Sequence, residues 1–157
     1  MAINNIVDES FIINQKKLKQ FGDRCSNVKI GIMGGTFDPI HYAHLATAEF
    51  IRDNYKLDKI LFIPSGNPPH KKGNITDKYD RYNMVLLSTV NNDDFIVSDI
   101  EIKREKSTYT IDTLKVLKQI YKNRKGYVFT QEQLIEIIKF IPDIDVSYSD
   151  GIYFVWK

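Results

Sequence analysis

VKIGIMGGTFDPIHYAHL, residues 28–45, decides how the rest of the chain is read. Val28 to Met33 is a short apolar run, the pattern of a strand buried on both faces. Gly34 and Gly35 then permit a sharp turn and bring bare backbone close to a ligand. Thr36, Phe37, Asp38 and Pro39 form that turn. His41, Tyr42, Ala43 and His44 open a helix that continues through LATAEFIRDNY. A strand, a glycine turn and a helix N-terminus together favour phosphate, because unpaired N–H groups and the helix dipole face the same anion. His41 and His44, three apart, share one face of the helix's first turn. Two imidazoles beside such a cradle point to chemistry on the phosphate, not merely to holding it.

The stretch is neither a Walker loop, since no Gly-Lys-Ser/Thr follows the turn, nor a G-x-G-x-x-G fingerprint. GGTFDPIHYAHL resembles instead the signature of the nucleotidylyltransferase superfamily, with its paired histidines in an H-x-x-H arrangement. A glycine turn with two surface histidines is the plain alternative, but the whole string would then have to arise by accident.

Downstream, Leu45, Ala48, Phe50 and Ile51 form an apolar stripe on the helix, the face expected to lie on a sheet. Lys59 to Pro64 reads as a second buried strand and closes a βαβ unit with a right-handed crossover. PSGNPPHKKG, residues 64–73, is a loop by its prolines and glycines, at the carboxyl edge where open α/β sheets bind ligands. It is similar to the P-x-G-x-P-P-H-K segment of bacterial nicotinate-nucleotide adenylyltransferases, which makes Lys71 a candidate for holding substrate phosphate.

Asp77 to Thr89 is expected to be a helix with Tyr82, Met84, Val85 and Leu86 as apolar contacts. Arg81 and Met84 fall where that family carries an Arg-x-x-Met pair. Phe95 to Asp99 is a third strand candidate, and Asp99, Glu101, Lys103 and Arg104 read as a solvated loop. STYTIDTLKVLKQIY, residues 107–121, has the spacing of a capped amphipathic helix. It also resembles the family's S-Y-T-x-D-T-L segment at the nicotinate site. The resemblance makes Thr108, Tyr109 and Thr110 candidate substrate contacts, while Asp112 fixes the helix start.

After Tyr121 the resemblance breaks. The family's next strand, ending in G-x-D, and an aromatic segment have no counterpart. Asn123 to Tyr127 looks like the later R-x-G-Y segment, as if a strand and a helix were missing between. Thr130 to Phe140 reads as a helix with Leu134, Ile137 and Ile138 inward. Ile141 to Asp150 is similar to the closing I-P-x-x-D-I-S-S-T-x-I-R motif, which supplies hydroxyls and an arginine to the ATP phosphates at a helix N-terminus. Ser147 and Ser149 remain but the arginine does not, and SDGIYFVW reads as a turn and an edge strand.

The chain has 157 residues, 43% hydrophobic and 27% charged, which suits one globular domain of 28–157 behind an N-terminal extension of 1–27, with 126–157 as its divergent part. In the extension, Asp8 or Ser10 is expected to cap a short helix carrying Phe11, Ile12, Leu18 and Phe21 inward. A net charge of +2 gives no footprint for nucleic acid. One cysteine and three histidines, two of them in the signature, suggest no resident metal site and a reducing compartment. No apolar run reaches the roughly 18 residues that span a bilayer, and the polar N-terminus is unlike a signal peptide, so the expectation is a cytoplasmic protein.

The expected fold is α/β, a Rossmann-like nucleotidylyltransferase domain with a mostly parallel sheet, shortened in its C-terminal half. What the resemblance implies is transfer of AMP from ATP to nicotinate mononucleotide, giving deamido-NAD and pyrophosphate, with Mg²⁺ carried in by ATP. His41 and His44 would act on the ATP phosphates, with Gly34, Gly35, Thr36, Phe37 and Ser147 as further ATP contacts. Ala43 stands where the family usually has glycine. Two alternatives stay open: a catalytically impaired nucleotide-binding remnant, and an adenylyltransferase for another phosphorylated substrate such as pantetheine phosphate. Loss of core from an internal deletion leaves room for a homo-oligomer.

Overall fold

In the computed structural model the described residues are 2–23, 29–68, 73–107, 112–113 and 115–117, together with the backbone of 145–149 and 152–156. The elements in chain order are α1 (Ala2–Asp23), β1 (Ile30–Gly35), α2 (Tyr42–Asn54), β2 (Lys59–Pro64), α3 (Lys78–Thr89), β3 (Phe95–Val97), β4 (Asp145–Ser149) and β5 (Ile152–Trp156). They form one five-stranded sheet in the order β3-β2-β1-β5-β4. β3, β2, β1 and β5 run parallel, and β4 is antiparallel to β5. The mostly parallel sheet read from sequence is therefore present. Of residues 149–156, read as a turn and an edge strand, Ile152–Trp156 form β5 inside the sheet, and β4 forms that edge.

The apolar runs are continuous because both sheet faces are covered. In β2, Ile60 and Phe62 join one core with Val85 and Leu86 of α3 and Ala48 and Ile51 of α2. Leu61 and Ile63, pointing the other way as the pleat requires, join Ile30, Ile96, Leu117 and Leu18. Phe50 is a correction to the expected stripe of α2, since it stands 47% exposed while Ala48 and Ile51 are buried. Its position turns it away from the face that carries the other two.

The N-terminal extension departs most from its sequence reading. It is one 22-residue helix, so Asp8 and Ser10 lie inside it and cap nothing. The Ser10 hydroxyl donates back to the carbonyl of Ile6 at 2.8 Å. Phe11 and Ile12, expected inward, are exposed. Leu18 does pack inward as expected, but the most deeply buried side chains of the helix are polar, Ser10 and Asn14. The Asn14 side-chain amide donates to the Val97 carbonyl at 3.0 Å and accepts from the Val97 N–H at 2.9 Å. That pair of bonds closes the outer edge of β3, which no strand among the described residues covers. Lys17 Nζ donates among the carbonyls of Thr89, Val90, Asn92 and Phe95 at 2.8–3.3 Å, gathering the end of α3 and the turn into β3. We expect Asn14→Leu to lower unfolding free energy by about 2–3 kcal/mol, because two buried backbone groups lose their partner. Urea denaturation measures this, and a change under 0.5 kcal/mol would show that the helix does not protect the edge.

Candidate functional site

Parallel strands bring their carboxyl ends to one edge, and here that edge carries Gly35, Pro64 and Val97. From β1 the chain passes to β2 on one side, while β5 lies on the other. The strand order thus reverses beside β1, the place where open α/β sheets leave a crevice. Gly34 and Gly35 belong to β1, in register with Ile63 and Pro64, and not to the turn expected of them. The turn proper is 36–41.

Phe37 is the hinge of this turn. It sits at φ +50°, a left-handed backbone that costs a non-glycine residue roughly 1–2 kcal/mol. In return its ring is buried to 2% exposure and stands edge-on to the His44 imidazole, centroids 5.1 Å apart, and near Phe62 at 6.0 Å. A Cβ on Gly35 would lie 3.0 Å from two atoms of that ring. Since the ring has buried neighbours on its far side, we expect Gly35→Ala to destabilise the fold by about 1–3 kcal/mol. Chemical denaturation tests this; an unchanged midpoint would mean that the ring moves freely.

His41 is the N-cap of α2 and His44 its third helical residue. The backbone N–H of His41 donates to Nδ1 of His44 at 3.2 Å, so an otherwise unpaired amide of the helix start is satisfied by an imidazole. With Nδ1 accepting, the neutral ring carries its proton on Nε2 and presents an N–H donor there. The two rings lie 3.9 Å apart, centroid to centroid, and His44 is buried while His41 is exposed. The arrangement can offer hydrogen-bond donors and a positive helix end to an anion.

Beneath the turn lies Arg81 of α3, 1% exposed. Its Nη1 donates to the carbonyls of Thr36 and Ser65, each at 2.7 Å. Nη2 donates to the Gly66 carbonyl at 2.9 Å and Nε to the Thr76 carbonyl at 2.9 Å. Burial pulls the guanidinium pKa down, and the carboxylates of Asp38 and Asp77 pull it back up; arginine stays charged regardless. Asp38 accepts the Thr76 N–H at 3.0 Å, tying the turn to the start of α3, where Asp77 caps by accepting the Tyr79 N–H at 2.8 Å. The N-termini of α2 and α3 therefore face the same sheet edge.

Lys71, Thr108, Tyr109 and Thr110 lie outside the described residues, as does the helix expected over 130–140. Ser147 is within β4, paired with Phe154, and not at a helix N-terminus. β5 separates it from β1, a displacement of roughly 10 Å at about 4.8 Å per strand.

Glu101, read as part of a solvated loop, is 5% exposed and accepts the Thr113 hydroxyl at 2.7 Å. Arg104 Nη1 donates to the same hydroxyl at 3.2 Å. This cluster anchors the helical residues 112–113 just after the STYT segment. Sequence reading missed it because alternating charge after a strand ordinarily means solvent. It also left Arg81 without a role: a lone arginine among the polar residues of a helix gives no sign of being buried. Among the described residues no group of three His, Cys, Asp or Glu side chains is placed to hold a metal ion, and no helix is long and apolar enough to cross a membrane.

The sequence model of the cytidylyltransferase-like family matches residues 32–149. A probable nicotinate-nucleotide adenylyltransferase of Thermoanaerobacter sp. (strain X514) is 54% identical over 114 residues, 71% of this chain and 54% of the relative. One from Desulfitobacterium hafniense (strain Y51) is 52% identical over 103 residues, 65% of this chain and 50% of the relative. Among solved structures, the Plasmodium falciparum nicotinic acid mononucleotide adenylyltransferase complexed with NaAD superposes with a TM-score of 0.57 at 25% identity, covering 79% of this chain and 58% of that one. The same enzyme complexed with APC gives 0.52 at 25% identity, covering 71% and 55%. The chain spans about half the length of the curated relatives it matches.

Proposed function

We propose that this chain, which belongs to the cytidylyltransferase-like family, transfers AMP from MgATP to nicotinate mononucleotide and so takes part in NAD biosynthesis. The phosphate of the mononucleotide attacks the α-phosphorus of ATP in line. The bond from that phosphorus to the bridging oxygen breaks, pyrophosphate leaves, and deamido-NAD remains. No protein nucleophile is needed, so the work of the chain is placement and stabilisation of phosphate charge.

The observation that carries the reading is His44, held by the amide of its own helix start with Nε2 as the donor nitrogen. In this reading Nε2–H of His44 binds the phosphate charge that grows as pyrophosphate leaves. His41 lies beside it, and the backbone of Thr36 and Phe37 lines the approach, with Gly34 and Gly35 behind them at the strand end. Mg²⁺ enters with ATP as part of the substrate. The identity to nicotinate-nucleotide adenylyltransferases supports the choice of acceptor, to which Lys71 and the segment Thr108, Tyr109 and Thr110 are assigned.

A second reading, a nucleotide binder without turnover, draws on Ser147, which stands in a strand where the closing motif would have it at a helix N-terminus. Pyrophosphate release from MgATP, with and without nicotinate mononucleotide, separates the two. The adenylyltransferase requires release that depends on the mononucleotide and is absent with pantetheine phosphate. ATP binding with no release would establish the binder instead, and release only with pantetheine phosphate would move the chain to another acceptor.

A further inference from the structure

We propose that Arg81 is a positioning residue that sets the separation between the two loops on which the two substrates rest. The inference rests on the adenylyltransferase reading for its consequence, while its geometric content stands apart from it.

The turn after β1, proposed to hold ATP, and the loop after β2, proposed to lead to the mononucleotide, leave the sheet from adjacent strands. At their roots only one backbone bond joins them among those described, from the Ser65 N–H to the Gly35 carbonyl at 2.8 Å. Beyond that point the bridge seen among the described residues is the Arg81 side chain. A single guanidinium nitrogen of Arg81 binds Thr36 in the first loop and Ser65 in the second, and its neighbour binds Gly66. Nε reaches Thr76, so the same plane also fixes the entry of α3 against both loops. These four bonds all go to backbone carbonyls, drawn from three segments: Thr36 after β1, Ser65 and Gly66 after β2, and Thr76 before α3. A planar fork of donors fits such an array; a lysine ammonium, with three donors on one atom, cannot reproduce it.

An in-line transfer needs the attacking oxygen and the phosphorus within about 3–3.5 Å, and a small misplacement from a remote residue lowers rate by as much as about 100-fold. A clamp between the ATP loop and the acceptor loop controls that distance. It touches neither substrate, so its loss acts on kcat more than on binding of either one.

Arg81→Lys is the test, because it retains charge and length while removing the fork; Arg81→Gln serves as a second variant. Three readouts apply to each: kcat and KM for pyrophosphate release, hydrogen exchange of backbone amides, and the urea midpoint. The expected result is a kcat at least tenfold lower with KM for ATP within threefold of wild type. Amides of 36–40 and 65–68 should exchange faster together, with β1, β2 and α2 unchanged. A kcat within twofold of wild type, in an active enzyme, overturns the inference and leaves the reaction standing. If wild-type protein releases no pyrophosphate, the reaction fails, and exchange alone decides: joint loosening of both loops upholds the clamp, and unchanged exchange overturns it. If both variants unfold, the residue holds the fold and not the site, and the inference is lost.

Discussion

Replacing His44 with alanine is expected to lower kcat for mononucleotide-dependent pyrophosphate release by about 10²- to 10³-fold, the usual loss for removing one preorganised donor to developing negative charge. The size follows from how the imidazole is held. Nδ1 accepts the His41 N–H, the Phe37 ring stands edge-on to it, and the His41 ring lies alongside. A donor fixed in this way needs no reorganisation when charge builds on the leaving phosphate. Alanine also leaves the His41 amide without its cap, which adds about 0.5–2 kcal/mol of fold destabilisation. Turnover must therefore be read beside a urea midpoint. His44→Gln separates the two effects: its amide restores an N–H donor near the place of Nε2 but gives the helix start no matching acceptor at Nδ1. Recovery of more than tenfold over alanine assigns the loss to the donor. Alanine activity within threefold of wild type would remove His44 from the chemistry.

How much of this could be read from sequence differs by element, for reasons in the physics. β2 was legible residue for residue, because a run apolar on both faces between Asp58 and a proline–glycine loop has one reading. α3 was equally clear in extent, since Tyr82, Val85 and Leu86 repeat at helical spacing; that Asp77, read as its first residue, is the cap comes from the structure. The glycine turn and histidine pair gave the family, now supported by a match over residues 32–149. Three things were not legible. Asn14 and Lys17 pair with backbone groups more than 70 positions away, and polar residues on a helix give no sign of such partners. Glu101 was lost because a charged residue is presumed solvated until a partner is seen. Arg81 binds four carbonyls, and every peptide has one, so no residue pattern could mark its targets. The apolar part of the fold is periodic and local; the polar pins that align the site are neither.

Phe37→Ala should cost about 3–5 kcal/mol of unfolding free energy, the range for emptying a fully buried aromatic site. Against a typical total of about 5–15 kcal/mol, that is a large share. The Phe37 ring lies between Gly35 at the strand end and His44 of α2, near Phe62 and within one buried cluster with Met33, surroundings that cannot all close on the void. The backbone makes the prediction sharper. At φ +50° alanine keeps the strain of a left-handed residue, whereas glycine does not. In most sites a change from alanine to glycine lowers stability, because the unfolded chain gains freedom. Here the relief of strain, roughly 1–2 kcal/mol, opposes that loss, so Phe37→Gly should be no less stable than Phe37→Ala. Urea denaturation of the pair, with ATP binding measured on each, tests ring and backbone separately. A glycine variant clearly weaker than the alanine one would show that the turn carries no strain. A shared loss of ATP affinity in both would tie the Phe37 ring to the posture of His44, since neither variant changes any polar group at the site.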